Sequence, residues 1–349
     1  MSAVRIARAA SPGEVRAVAF DAGGRPISTF IERWGGHGQP PSAGETVTGR
    51  LRQVSPSDGG AFFELESGTE VFVRGEVSGG LTQGAQANLV IVAEQRGGKL
   101  ARARITAGPA LEMSAFERWQ SSLPGEGGSP VEEGRDATDD VGRVFDDVLS
   151  PMAGLSGGGK IQITPTPALV AVDIDSAGRL SKGSAGARAL AINREAVAEA
   201  ARQIAVRRLG GLIAIDCVAP INREAGEKLR AGFVASFSRC SDRAVDALRP
   251  SRFGLLEAKI EWRRTPLSEL MLDESGEPSA ETRLLALFRE VEREAGADRT
   301  AFFSVILSKA LMDVYKARKR MCDALLSDAF SGRVSVSQEI STTNKVARI

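Results

Sequence analysis

The chain of 349 residues contains one histidine, three cysteines and one tyrosine. The single histidine, His37, excludes cleavage chemistry that needs paired histidines as acid and base. The cysteines, Cys217, Cys240 and Cys322, are scattered and odd in number, which fits neither a disulfide framework nor a thiolate metal site. We expect buried thiols in a reducing cytoplasm.

No stretch reaches the roughly 20 apolar residues of a membrane span, and no signal-peptide core stands near the N-terminus, so the sequence predicts a cytoplasmic protein without membrane contact.

The chain also has no excess of positive or negative charge, because 45 lysines and arginines balance 44 aspartates and glutamates to a net charge of +1. A general nucleic-acid binder is usually more basic, so any basic surface must be local. With 42% hydrophobic residues, a chain of this length is expected to bury the cores of two or three domains.

Two aspartates stand at the ends of apolar runs, and this is the most informative pattern present. Residues 160–164 alternate apolar and polar side chains, and residues 168–175 form a short apolar run, which predicts a hairpin leading into a buried strand that carries Asp173. From Asn193, a candidate N-cap, apolar residues recur at helical spacing until Gly210 and Gly211. A second apolar strand then runs from Leu212 to Val218 and carries Asp216 near its carboxyl end.

This order of strand, helix and strand favours a parallel pair with a right-handed connection. Asp173 and Asp216 then lie at neighbouring carboxyl ends, where open α/β sheets bind their ligands. Strands about 4.8 Å apart bring the two carboxylates close enough to share one hard cation such as magnesium. The alternative is that a strand-end aspartate only caps a turn, which Asp175 followed by Ser176 also indicates.

Residues 45–106 carry short strands separated by glycine, serine and proline, which predicts a five-stranded OB-fold barrel. Such barrels bind single strands by stacking bases on exposed aromatic side chains beside a basic groove. A strand phenylalanine is more often a core residue, however. From the pattern alone Phe62, Phe63 and Phe72 are therefore either core or surface residues, depending on the register.

Four blocks in order resemble the catalytic core of the ribonuclease E/G family: Gly157 to Ser176, Asn193 to Ile204, Arg207 to Asp216, and Ser251 to Glu257. The resemblance implies an endoribonuclease of RNA processing or decay that needs Mg²⁺, with Mn²⁺ as the alternative ion, and cuts single-stranded RNA to leave 5′-phosphates. It implies that Asp173 and Asp216 are the catalytic metal ligands. The family has an asparagine where Asp175 stands. We expect Asp175 to be a third catalytic residue, either as a further metal ligand or in the layer of residues that surrounds the two ligands.

The same resemblance assigns the RNA-binding residues. Phe62 and Phe72 match the two stacking phenylalanines of the family, and Lys99 matches its phosphate-contacting lysine. Arg252, inside the Ser251 to Glu257 block, is a further candidate for RNA binding.

The implied fold is mixed α/β (α+β), with a catalytic core similar to ribonuclease H and deoxyribonuclease I, an inserted OB-fold barrel and a small C-terminal α+β domain. In this division, residues 1–44 begin a ribonuclease H-like subdomain and 109–154 hold a linker and its remainder. Residues 45–108 form the barrel, 155–265 the deoxyribonuclease I-like catalytic subdomain and 266–349 the C-terminal domain. Apolar spacing predicts helices within 279–294 and 302–326.

Two features of fuller family members are missing. Few residues separate the barrel from the catalytic blocks, and 121–140 are rich in glycine, serine and acidic residues, which predicts a flexible linker in place of the segment that senses an RNA 5′-monophosphate. Cleavage should then depend little on the RNA 5′ end. The Cys-x-x-Cys pair that shares zinc between subunits is also missing, so no zinc is expected, and a homodimer without a zinc link stays open.

Two other classes of function remain open at this point. The chain would be a non-catalytic RNA-binding protein of the same fold if Asp175 and the missing segments have abolished cleavage. It would be a structural adaptor if the C-terminal helices bind protein partners.

Overall fold

The computed structural model describes residues 4–36, 39–75, 81–108, 113–125, 128–177, 183–339 and 344–349. The only histidine, His37, lies outside these ranges. The chain forms two compact units. The first unit comprises Met1–Ala7, Val18–Phe30 and Pro40–Pro266, and the second comprises Arg8–Ala17, Ile31–Gln39 and Leu267–Ile349.

Three strands open the chain, namely β1 (Arg5–Ser11), β2 (Glu14–Phe20) and β3 (Pro26–Arg33). The turn between β1 and β2 needs Gly13, which has a φ of 81°. A Cβ atom there would lie 2.9 Å from the ring of Trp34, so both the backbone conformation and the space favour glycine.

The predicted five-stranded barrel is confirmed. It consists of β4 (Thr46–Ser55), β5 (Gly60–Leu65), β6 (Glu70–Arg74), β7 (Gln86–Ala93) and β8 (Ala101–Ile105), closed in the order β4-β5-β6-β8-β7. Alternate residues point inward because successive side chains of a strand face opposite sides. The buried core includes Leu51, Phe63, Val71, Leu89 and Ile91.

The predicted linker is wrong over part of its length. Two helices and a short strand follow the barrel, namely α1 (Ala115–Ser121), β9 (Val131–Glu132) and α2 (Arg135–Leu149). Strand β9 pairs with β1 in parallel, which gives a sheet in the order β3-β2-β1-β9. Asp136, Asp139 and Asp140 of this acidic stretch lie in α2, whose apolar residues Val141, Val144, Phe145 and Val148 are buried. A charged helix face resembles a linker when composition alone is considered.

A six-stranded sheet carries both aspartates. Its strands are β10 (Met152–Gly154), β11 (Lys160–Pro165), β12 (Val170–Asp175), β13 (Gly211–Asp216), β14 (Val245–Ala247) and β15 (Leu255–Ile260), in the order β10-β11-β12-β13-β15-β14. Helices α3 (Ala185–Val206) and α4 (Arg223–Ser238) pack against each other, and α3 contacts β11 and β12. Strands β12 and β13 are parallel and α3 connects them, as predicted.

Asn193 does not cap a helix, which corrects the sequence prediction. Ser184 is the N-cap of α3, and its side chain accepts a hydrogen bond from the backbone N–H of Ala187. Asn193 lies in the third turn and is fully buried. Asparagine is favoured at caps because its side chain bonds to nearby backbone. Here that side chain bonds to a distant backbone segment instead.

The second unit contains α5 (Leu267–Met271), α6 (Ala280–Ala297), β16 (Phe303–Leu307), α7 (Lys309–Ala317), α8 (Lys319–Phe330), β17 (Val334–Gln338) and β18 (Lys345–Arg348). Helix α6 confirms the prediction for 279–294. The prediction of a helix over 302–326 is wrong at its start, because Val305 and Ile306 belong to β16, the central strand of a sheet ordered β17-β16-β18. Short apolar runs are ambiguous between helix and strand.

A buried ion network lies within the second unit. The carboxylate of Glu14 is fully enclosed and pairs with Arg16 at 2.6 Å, with Arg33 at 3.0 Å and with Arg289. Burial by itself raises the pKa of Glu14, but the three guanidinium groups outweigh burial and hold that pKa below its usual value. Glu14 is therefore charged and paired in the folded protein at neutral pH.

Cys217, Cys240 and Cys322 are buried free thiols, as predicted. Among the described residues, no helix combines the length and the apolarity that crossing a bilayer requires.

Candidate functional site

The two aspartates identified in the sequence are direct neighbours across the parallel pair. Asp173 of β12 is the register partner of Asp216 of β13, and both side chains are exposed. They share a face because each follows a buried residue, Val172 or Ile215, in a strand whose side chains alternate. Gln162 of β11 is the next partner of Asp173 in the same row. The carboxylates thus stand side by side on the open face of the sheet.

Asp175 lies on the same face, two residues beyond Asp173, but its oxygens are already engaged. One oxygen accepts a hydrogen bond from the backbone N–H of Ala177 at 2.9 Å, and the other lies 3.6 Å from Nζ of Lys160. This is the turn-capping arrangement that the sequence left open as an alternative. The backbone of Asp175 is also closely packed, because a Cβ atom on Gly159 would lie 2.6 Å from its carbonyl oxygen.

A tight loop from Ser251 to Gly254 passes beside Asp216. Gly254 has a φ of 88°, and a Cβ atom there would lie 3.9 Å from Oδ1 of Asp216. The loop is closed by a hydrogen bond from Gly254 N–H to the Ser251 carbonyl and held to β13 by one from Cys217 N–H to the Gly254 carbonyl. Its tip exposes Phe253, with the guanidinium of Arg252 4.7 Å from the ring centroid. A cation and an aromatic face are thereby presented next to the aspartate pair.

Asn193 holds the backbone that follows Asp216, a role that its sequence position did not reveal. Its amide donates to the Val218 carbonyl and accepts from the Val218 N–H, both at 2.8 Å. The adjacent Cys217 is buried, and burial together with the charge of Asp216 raises the pKa of its thiol to about 12. The thiol is therefore protonated at neutral pH, which disfavours a role as a nucleophile.

The donor set suits a hard cation bound through few protein ligands. Among the described residues, no three or more His, Cys, Asp and Glu side chains gather into one potential metal site. Magnesium is usually bound by one or two carboxylates and keeps several waters, so the pair of Asp173 and Asp216 fits it. A closed site for zinc needs four nitrogen or sulfur ligands, which this face of the sheet does not supply.

The barrel presents the aromatic residues predicted for base stacking. Phe62 and Phe72 are register partners on the outer face of β5 and β6, and their ring centroids are 5.1 Å apart. Both rings are partly exposed, whereas Phe63 is fully buried in the barrel core. The register that the sequence left open is thus resolved in favour of Phe62 and Phe72 as the surface pair.

A glycine and an arginine missed by sequence reasoning complete this face. Gly60 provides space for the Phe72 ring, because a Cβ atom on Gly60 would lie 2.5 Å from it. Arg102 of β8 is the register partner of Phe72 on the other side. The alternation in Ala-Arg-Ala-Arg-Ile was the available signal, since it places Arg102 on the outside. Lys99 is exposed in the turn before β8, three residues or about 10 Å from Arg102 along the chain.

Comparison with known proteins points to the same region. Residues 137–260 match the model of the Ribonuclease E/G family. Ribonuclease E of Haemophilus influenzae is 41% identical over 107 residues, which are 30% of this chain and 11% of that protein. Ribonuclease E of Escherichia coli is 40% identical over 105 residues, 30% of this chain and 10% of that protein. Ribonuclease E of Synechocystis sp. is 29% identical over 157 residues, 45% of this chain and 22% of that protein.

The chain thus spans about a tenth to a fifth of the length of these curated relatives. The matched region contains both register-paired aspartates and the loop beside them.

Proposed function

Because residues 137–260 belong to the ribonuclease E/G family, we propose that this chain is an endoribonuclease that cleaves single-stranded RNA. The observation that carries this proposal is the in-register pair of Asp173 and Asp216, which lies inside the matched region on an open sheet face. Relatives named Ribonuclease E support the reaction class. RNA processing or decay in the cytoplasm is the corresponding cellular role that we propose.

Magnesium, or manganese in its place, is the proposed metal, and Asp173 and Asp216 would hold it. When bound, such an ion activates water and offsets the charge that develops on phosphate, which leaves a 5′-phosphate on the product. The two carboxylates suit this role because they are exposed and adjacent, so that RNA has direct access from solvent.

The other residues of this face orient the pair and the RNA. Asp175 holds the end of β12 through Ala177 and Lys160, and we assign it a positioning role. Asn193 fixes the backbone after Asp216. Arg252, beside the exposed ring of Phe253, is placed to contact a phosphate or a base of RNA near the aspartates.

The barrel is the proposed RNA-binding domain. Its closed five-stranded form fits an OB-fold, and the surface pair of Phe62 and Phe72 offers two aromatic faces for stacking. Arg102 adds a positive charge beside Phe72, and Lys99 adds another in the neighbouring turn. Stacking and charge together favour single strands without strict sequence preference.

We propose the finer domain assignment on the same basis. Residues 1–44 and 109–154 contribute the strands of the sheet β3-β2-β1-β9, which we assign to a ribonuclease H-like subdomain. Residues 155–265 would be the deoxyribonuclease I-like catalytic subdomain, 45–108 the barrel and 266–349 the C-terminal domain. A homodimer without a zinc link remains a prediction from the sequence.

The decisive test is cleavage of a labelled, unstructured RNA in Mg²⁺ by the native chain, Asp173→Asn and Asp216→Asn. Asp246→Asn is the matched control, because Asp246 is an exposed carboxylate at the edge strand of the same sheet. We expect at least a 100-fold loss of rate in both site variants, or about 2.7 kcal/mol of transition-state stabilisation, and little change in the control.

The RNA is prepared with either a 5′-phosphate or a 5′-hydroxyl, and the two forms should be cut at similar rates. Full activity of either site variant, or equal loss in Asp246→Asn, would show that the paired carboxylates are not the catalytic metal site. Products ending in 5′-hydroxyl would contradict the proposed departure of the 3′ oxygen.

A second candidate is an RNA-binding protein of the same fold with little or no cleavage. One observation favours it: Asp175 is occupied by a turn and a lysine, and no third acidic group joins Asp173 and Asp216 among the described residues. This candidate predicts that the native chain binds the same RNA but yields no magnesium-dependent products.

A further inference from the structure

A small cavity in the first unit is walled by arginines and shares no residue with the acidic pair. It measures about 30 Å³, room for about two water molecules. Its walls include four guanidinium groups and two hydroxyls, which belong to Arg208, Arg243, Arg263, Arg264, Ser122 and Ser241. These residues come from the turn after α3, the segments flanking β14 and β15, and the end of α1. The cavity therefore depends on contacts between distant parts of the chain.

The positive charge of this cavity is only partly balanced. Asp242 is the one acidic wall residue described, and it pairs with Arg263. Arg208 and Arg243 instead donate to backbone carbonyls, of Thr29 at 3.0 Å and of Leu209 at 2.7 Å. Arg264 donates to the hydroxyl of Ser122 at 3.3 Å. Within the described ranges, none of these three arginines forms an ion pair with a carboxylate.

Glu94 lies near enough to offset some of this charge, and it raises the pKa of Arg208. Its two carboxylate oxygens, however, accept hydrogen bonds from the backbone N–H groups of Ala43 and Thr265, at 3.1 and 2.8 Å. Glu94 therefore binds backbone N–H groups, and among the described residues it forms no ion pair with Arg208, Arg243 or Arg264.

Arg208 is the most informative wall residue. Its side chain is over nine-tenths buried, and its Nε atom is enclosed without a hydrogen-bond partner. Its backbone has a φ of 62°, at the position after the α3 C-cap where glycine is usually found. The N–H groups of Arg208 and Leu209 bond to the carbonyls of Ala205 and Ile204, which is the Schellman pattern of a helix end. A strained arginine with a buried free donor indicates that its side chain has a use there.

The lowered pKa values of two wall arginines agree with a site that needs an anion to balance their charge. Burial, together with the charges of Arg264 and Arg243, lowers the pKa of Arg208 to about 9. Burial likewise lowers the pKa of Arg243 to about 10, with Arg263 and Arg264 contributing. An anion in the cavity would relieve the repulsion between these groups and hydrogen-bond to their free donors.

We propose that this arginine cavity binds a free oxyanion of the phosphate class, separately from any RNA held at the acidic pair. The volume suits one small tetrahedral ion rather than a whole nucleotide. Guanidinium groups suit phosphate oxygens because they donate in a planar fork. The bound ion would join the turn before β13 to segments beside β14 and β15, and so stabilise the sheet that carries Asp216.

The test is binding of inorganic phosphate to the full chain, measured by calorimetry and by the ³¹P line width, with chloride at equal ionic strength and pH as the reference. We compare the native chain with Arg208→Gln and Arg264→Gln. Arg230→Gln is the control, because Arg230 is a partly exposed arginine of α4 paired with Glu227 outside the cavity. We expect a single site in the native chain and the control, and at least tenfold weaker binding in each cavity variant.

Thermal unfolding provides a second readout. Phosphate raises the unfolding temperature of many proteins by general exclusion from their surface. The proposal therefore requires a phosphate-dependent rise, relative to chloride, that is larger in the native chain than in Arg208→Gln. If Arg208→Gln does not fold, Arg264→Gln decides. An equal rise in all variants, or no saturable binding, would overturn the proposal.

Two further arms separate the possible sources of phosphate and the two sites. The first arm uses an oligoribonucleotide without a terminal phosphate. If it binds the native chain, binds Arg208→Gln tenfold more weakly, and inorganic phosphate does not bind at all, then the cavity is a phosphodiester site. That result would overturn the free-ion proposal. Asp216→Asn should bind inorganic phosphate as the native chain does, so failure of the nuclease proposal leaves this measurement unaffected.

Discussion

The strongest contrast that the structure offers is between the adjacent residues Phe62 and Phe63. Phe63 is fully buried among the inward side chains of the barrel, so Phe63→Ala removes a whole ring from a packed core. Such truncations cost about 3–5 kcal/mol. Phe62 is partly exposed and packs on Phe72 at 5.1 Å. Its replacement loses an aromatic pair worth about 0.5–1.5 kcal/mol and leaves the core intact.

The order of the effects should reverse for RNA affinity. A base stacked on an aromatic ring contributes about 1–3 kcal/mol, so Phe62→Ala should weaken binding of single-stranded RNA by roughly 5- to 150-fold. Hydrogen exchange of the barrel amides measures the local free energy of opening in each variant, and fluorescence anisotropy of a labelled oligoribonucleotide measures affinity. Phe302→Ala is the control, because Phe302 is an exposed phenylalanine of the second unit.

The reasoning is refuted if Phe62→Ala and Phe63→Ala destabilise the barrel equally, since the register of β5 would then be wrong. It is also refuted if folded Phe62→Ala binds RNA as tightly as Phe302→Ala does. Loss of RNA affinity in Phe63→Ala counts only under conditions where hydrogen exchange shows a folded barrel.

Three further predictions concern other parts of the chain. Glu14 has a lowered pKa in the folded state, so its contribution to stability is complete above its unfolded pKa near 4.5 and is lost as the pH falls through the lower folded value. Glu14→Gln should therefore reduce the loss of stability at acid pH, the acid limb, in urea titrations of the second unit. An unchanged limb would contradict the ion network. Gly60→Ala places a methyl 2.2 Å from the Val73 carbonyl oxygen and should lower the midpoint of barrel unfolding more than Gly59→Ala does. A Cβ atom on Gly59 meets nothing within 4 Å, so that control carries only the cost of a positive φ. Asn193→Leu removes the partner of two part-buried backbone groups of Val218 and should cost about 2–4 kcal/mol in chemical unfolding. A cost under about 1 kcal/mol would contradict the bidentate contact.

Local pattern determined much of the fold and of the candidate site. The alternation in residues 160–164, the helical spacing up to Gly210 and the order of the four family blocks predicted the parallel strands that end in Asp173 and Asp216. Short strands separated by glycine, serine and proline predicted the barrel between Glu45 and Thr106. These signals are readable because side-chain periodicity and turn residues depend on neighbours within a few positions. Where periodicity was ambiguous, as at Val305, or composition was typical of a linker, as in the part of α2 up to Asp140, the prediction failed.

Tertiary structure alone decided the register and the long-range contacts. A shift of one residue would exchange Phe62 and Phe63 between core and surface, and only the pairing with β6 fixes which ring faces out. Asn193 was expected to cap a helix, but the packing of α3 places its amide where it hydrogen-bonds to the backbone of Val218. Folding also gathered arginines from separate segments around one cavity, of which Arg208 is the most deeply constrained. Such contacts join residues far apart in sequence, and their geometry arises only when sheets and helices pack.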